Sequence, residues 1–166
     1  WHEFCHTVTL GATRNRIPRW FTEGISVYEE RLRDPACGSK MTSEFRRRML
    51  QPGGLIPIAQ LSSALTAFNE PGTISFAYYQ SSLLIEYILE TYGEQSLRKI
   101  LDDLRDNAVA EKSFERQLTT LDKLESGFKK FAVARASKVA PLADWEIPAE
   151  DSPLHRDPKG IAKYLE

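Results

Sequence analysis

The sequence predicts a mostly α-helical domain, and three observations carry that prediction. Apolar residues recur at three- and four-residue spacing through almost every patterned stretch, which is the mark of helices with one buried face. Proline and glycine collect in a few short breaks, QPGGLIP and NEPG among them. Strand signals are nearly absent, and only GLIPIAQL (54–61) offers one short extended piece.

Residues 1 to about 12 read as a first helix, interrupted at GATRNR by Gly11 and Asn15. The segment IPRWFTEGISVYEERLR (17–33) restarts the pattern. Pro18 suits a first helical position, where the N–H it lacks would have no partner in the helix. A third helix is expected near 41–50, ended by QPGGLIP, and NEPG (69–72) is a further turn. TISFAYYQSSLLIEYILETYG (73–93) is apolar nearly all round, apart from a narrow stripe through Ser82, Glu86 and Glu90. A helix of that kind predicts burial at the centre of the fold, with Gly93 as its C-terminal cap. The next helix sets Leu97, Ile100, Leu101 and Leu104 on one face. A short helix near 110–118 leads to another carrying Leu121, Leu124, Phe128 and Phe131, for which Thr119 and Asp122 form a variant capping box.

From Pro141 the composition changes. PLADWEIPAEDSPLHRDPKG holds four prolines among many charges, so the chain divides into a helical domain, 1–140, and a proline-rich tail or linker, 141–166. His155 falls in that tail, apart from the residues considered below.

At 166 residues the chain is long enough to bury a sizeable core, and 42% hydrophobic with 27% charged residues is the make-up of a globular domain. A net charge of −1 supplies no overall basic field for nucleic acid or acidic lipid. The one basic run, Arg46–Arg47–Arg48, reads as a solvated helix face. No apolar run is long enough to span a bilayer. Cys5 and Cys37 do not make a disulfide framework, and Cys5, within the first helix, is expected as a buried thiol.

The chemistry concentrates in WHEFCHTVTL, where His2, Glu3 and His6 fall within six residues. Positions four apart lie one turn apart on the same helix face, so two imidazoles can address a single ion. Glu3 is turned to the side of that face, within reach of a water on the metal. H-E-x-x-H is thus two zinc ligands and a general base on one helix. A third protein ligand is needed, and RWFTEGISVYEE offers Glu23, with sixteen residues between it and His6. Gly24 beside it costs roughly 1 kcal/mol against alanine in a helix interior, and close contact with the histidine helix is the expected reason for it. Taken singly, two histidines four apart can be chance surface residues, and a glutamate on an amphipathic helix is ordinarily solvated. The combination is what points to zinc.

On HEFCHTVTL, IPRWFTEGISVYEE and the softer FAYYQSSLLIEYILETYGEQSLRKIL, the chain resembles the gluzincin branch of the zincins, and within it the peptidase MA-like family. The resemblance covers roughly residues 1–135. It implies a zinc-dependent peptidase acting on peptide or protein substrates, with one zinc ion held by His2, His6 and Glu23 and with Glu3 as the base. It further implies an oxyanion-donating tyrosine, matched by Tyr78 with Tyr79 as the one-register alternative; a core aromatic is the ordinary reading of either. Glu30, seven residues after Glu23 and on its face, could orient a ligand histidine, although an exposed carboxylate is the ordinary outcome there.

Gluzincins usually precede this helix with more helix and with a sheet whose edge strand holds the substrate. H-E-x-x-H begins here at residue 2, so the expectation is a helical catalytic subdomain lacking the upstream β-sheet, a fragment of a larger protein. Family analogy adds tetratricopeptide-type repeats as partners in the longer protein and an extracytoplasmic setting. The competing expectation is a non-catalytic peptidase-like scaffold, against which the intact His2, Glu3, His6 and Glu23 argue.

Overall fold

Helix α1 (His2–Thr13) ends where Arg14 and Asn15 enter the left-handed region, at φ 53° and 60°. The Arg14 N–H closes onto Gly11 O and the Asn15 N–H onto Leu10 O, so orphaned carbonyls of the last turn are satisfied as the chain reverses. Gly11 therefore lies inside the helix, and the break falls three residues after it. The reversal sets α2 (Arg19–Arg33) antiparallel to α1, so that His2 reaches Glu30 while Thr9 reaches Thr22. The computed structural model describes residues 1–34, 36, 39–66 and 72–139. Cys37, most of the NEPG turn and the tail with His155 lie outside them.

Eight consecutive residues of α2, Trp20 to Val27, are buried. A helix can bury so long a run only when it is covered on more than one side. Helix α1 covers one face of α2, and α5 (Thr73–Tyr92), which is buried along most of its length, covers the opposite face. Gly24 belongs to the second contact. A Cβ there would stand 2.7 Å from the Ser81 carbonyl oxygen and 2.9 Å from Ile85 Cγ1. The glycine is required by the approach of α5, and not, as expected, by the histidine helix.

The remaining helices close the core around α5. They are α3 (Ser43–Leu50), α4 (Leu61–Ala64), α6 (Glu94–Arg105), α7 (Ala110–Gln117) and α8 (Leu121–Lys138). Phe21 is wholly buried with Trp20 and Phe114 against it at ring-centroid distances of 5.1 and 5.4 Å. Leu84, Ile88, Ile100 and Leu124 are likewise sealed from solvent. Gly93 ends α5 at φ 80°, the C-terminal cap expected of it.

No strand forms among the described residues. GLIPIAQL runs instead as an irregular loop into a 3₁₀ turn, Ile58–Gln60. The buried Gln80 amide accepts the Ile56 N–H at 2.9 Å and donates to the Ile56 carbonyl at 2.6 Å, while the Glu125 carboxylate accepts the Ile58 N–H at 2.8 Å. Side chains thus take the backbone groups that a neighbouring strand would have paired.

The polar stripe on α5 is also consumed internally. Glu86 accepts from Arg31 of α2 at 2.6 Å and from Arg135 of α8, and Arg135 reaches Glu90 at 2.5 Å. The basic run on α3 is less solvated than its composition predicts. Arg46 donates to the Ala136 carbonyl, and Arg48 donates to the Gly54 carbonyl and stacks over Phe76, both with their stems half-buried. Only Arg47 is exposed. At α8 the cap position is Thr120, one residue later than the expected Thr119, so Asp122 falls one place short of the third helical position and no side chain bonds the helix end.

Candidate metal centre

Three donor atoms from α1 and α2 converge. His2 Nε2 and His6 Nε2 are 3.0 Å apart, and both face Glu23 Oε2, at 3.3 and 3.1 Å. The i, i+4 spacing on α1 brings the imidazoles together, and the antiparallel seating of α2 brings the carboxylate to them. Glu23 is 8% exposed, and Arg19 Nε lies 3.6 Å from its other oxygen.

This triangle is poorly explained by hydrogen bonding alone, since two ring nitrogens and a carboxylate oxygen offer more lone pairs than protons. It suits a cation. Two N or O donors, each about 2.05 Å from a tetrahedral ion, stand about 3.3 Å apart, close to the three separations observed. Among the described residues, His2, His6 and Glu23 form the group whose donor atoms could hold one metal ion. Imidazole and carboxylate are the ligand types zinc takes, and three protein ligands leave a position for water.

The far nitrogens of both rings are occupied. His2 Nδ1 is 3.1 Å from Glu30 Oε2, and because a carboxylate only accepts, the ring must donate from Nδ1. Glu30 is therefore bonded to His2 and is not the free surface carboxylate that its position ordinarily predicts. His6 Nδ1 lies 2.9 Å from Thr22 Oγ1 and 3.4 Å from Ser26 Oγ.

The chain belongs to the peptidase MA superfamily. The family model matches residues 1–133, which contain every residue of the centre. Comparison with curated proteins and with solved structures returned no match. Members of the peptidase MA superfamily are typically metal-dependent, and the imidazole–carboxylate cluster is where an ion would fit in this one.

Glu3 is exposed on the flank of α1, and among the described residues no side chain holds its carboxylate. Tyr78 is half-buried on α5, on the helical face shared with Ser81 and Ile85, the two residues that meet Gly24. Tyr79 is 3% exposed with its ring 5.2 Å from Phe45, and burial pushes its phenol up to about 12. Cys5 is buried, and that burial, ahead of the nearby Glu29 charge, raises its thiol pKa. A thiol held protonated is a poor metal ligand, and Cys5 takes no part in the cluster.

Thr9, Thr22 and Ser26 were not singled out in the sequence, yet Thr22 and Ser26 contact His6, and Thr9 contacts Thr22. The available signal was weak: Thr9 falls one turn after His6, and Thr22 directly precedes Glu23. Threonine on a helix ordinarily bonds the carbonyl of its own preceding turn.

Proposed function

We propose that this chain is a zinc-dependent peptidase in which His2, His6 and Glu23 hold one zinc ion and Glu3 is the general base. The observation that supports it best is the His2–His6–Glu23 triangle, whose three sides of 3.0, 3.3 and 3.1 Å match the donor spacing zinc requires. Bound zinc would supply Lewis acidity, lowering the pKa of a water and polarising a peptide carbonyl.

The chain's own residues supply the rest. Glu3, one residue from a ligand and unencumbered, takes the proton of the attacking water and returns it to the departing amine. The Tyr78 hydroxyl donates to the oxygen on which negative charge develops. Tyr79 is the poorer candidate for that role, because its side chain is enclosed in the core beside Phe45. Glu30 holds the His2 ring by its Nδ1–H, so that the ring need not reorient as an ion binds.

Digestion of a peptide library, with and without chelator, tests the reading. Cleavage that chelator abolishes and added zinc restores is the expected result. A chain that takes up zinc stoichiometrically and cleaves nothing would instead return the assignment to a non-catalytic scaffold.

A further inference from the structure

The two histidines are buttressed by different chemistry. His2 is backed by a carboxylate, whereas His6 is backed by a buried chain of hydroxyls that runs from α2 back into α1. His6 Nδ1 is 2.9 Å from Thr22 Oγ1, which is 2.7 Å from Thr9 Oγ1, which is 2.9 Å from the Cys5 carbonyl oxygen. Thr9 and Thr22 are 4% and 6% exposed, so water does not compete for these groups.

Each hydroxyl has a single proton, and that fixes the direction of the whole chain. The Cys5 carbonyl can only accept, so Thr9 spends its proton there. The Thr9 oxygen then accepts from Thr22, whose proton is in turn committed. The Thr22 oxygen is left as an acceptor facing His6, and the ring must donate to it from Nδ1. The opposite direction would place the Thr9 oxygen 2.9 Å from a carbonyl oxygen with no proton between them. A neutral His6 that donates from Nδ1 presents the lone pair of Nε2 to the triangle. The Ser26 hydroxyl, at 3.4 Å, is the longer of the two contacts on that nitrogen.

We propose that Thr22, aligned by Thr9, is a positioning residue that locks the tautomer and rotation of His6 for metal binding. This rests on the reading of the centre as a zinc site. It also assigns the asymmetry between the two imidazoles a purpose. Glu30 orients His2 with a charged group, and the uncharged Thr22 orients His6 without adding another carboxylate beside the triangle.

The test is zinc affinity, measured by competition with a chromophoric chelator on the whole chain, for the parent, Thr22→Val, Thr22→Ser and Thr9→Val. Valine keeps the shape of threonine and removes the acceptor. Thr22→Val should bind zinc about 10–100-fold more weakly, with Thr22→Ser restored to near the parent and Thr9→Val between them. Each variant is also melted in its zinc-free form, to separate loss of the hydrogen bond from loss of fold. Thr22→Val binding as tightly as the parent, or Thr22→Ser as weakly as Thr22→Val, would overturn the inference while leaving the peptidase reading intact. A parent that binds zinc and shows this variant pattern but cleaves no peptide sinks the peptidase reading and leaves the inference standing. A parent with no zinc affinity sinks both.

Discussion

The backbone of Gly24 and the carbonyl of Ser81 are in such close contact that no Cβ fits between them; one built on Gly24 would lie 2.7 Å from the Ser81 oxygen. The obstacle is backbone, which cannot step aside as a flexible side chain would. Gly24→Ala should therefore push α2 off α5 and destabilise the fold by about 1–3 kcal/mol, as overpacking does in a tight interior. Thermal melting checks this, and an unchanged Tm would show the interface to be looser than described. Because Glu23 is the adjacent residue, zinc affinity should fall with it.

Glu3→Gln separates binding from chemistry. The substitution keeps the size of the side chain and removes its basicity, and Glu3 contributes no donor to the triangle. Zinc content should remain at the parent's level while peptide hydrolysis drops by a factor on the order of 10²–10⁴. Hydrolysis at the parent rate would eliminate Glu3 as the base.

Glu30→Ala removes the acceptor from His2 Nδ1, 3.1 Å away, and leaves the ring free to rotate. Zinc should bind about 10–100-fold more weakly, as is usual when an orienting partner is lost. Replacing Glu23 instead removes a ligand and should cost far more. If the two variants lost affinity equally, Glu30 would have to be regarded as a ligand itself.

Asp103 links stability to acid. The Arg116 guanidinium beside it, at 2.5 Å, together with the Gln117 amide and the Ser113 hydroxyl, holds its carboxyl well below the usual range, at about 2. A carboxylate whose pKa is depressed by folding stabilises the fold above its unfolded pKa, and that stabilisation is lost as the pH falls through its folded pKa. The window is thus between about pH 4 and pH 2. Asp103→Asn should melt below the parent at neutral pH, with the gap closing across that window. A gap that stayed constant from pH 7 to pH 2 would contradict the assignment. Arg116 is largely solvent-exposed, so the effect is modest.

Much of the architecture was open to reading in one dimension because it follows from local rules. Three- and four-residue apolar spacing marks α6 and α8, a nearly continuous apolar surface marks α5, and Gly93 marks where α5 stops. His2 and His6 share a face for the same reason. The misreadings arose where a distant partner decided the outcome. GLIPIAQL has the composition of a strand, but Gln80 and Glu125 take its backbone groups. Arg46 and Arg48 look like solvated surface until Ala136, Gly54 and Phe76 come to them from elsewhere in the chain.

The sequence by itself determined a helical chain, the breaks between its helices, and a pair of imidazoles one turn apart, since all of these depend on neighbours within a few residues. Only the tertiary structure decided which way α2 lies against α1, and hence that Glu23 meets both imidazoles, that Glu30 backs His2, and that Thr22 and Thr9 back His6. Those contacts join residues 13 to 28 positions apart. Local propensity cannot specify them, because the register of two packed helices is set by how their buried faces interlock, here with α5 pressing on Gly24 from the other side.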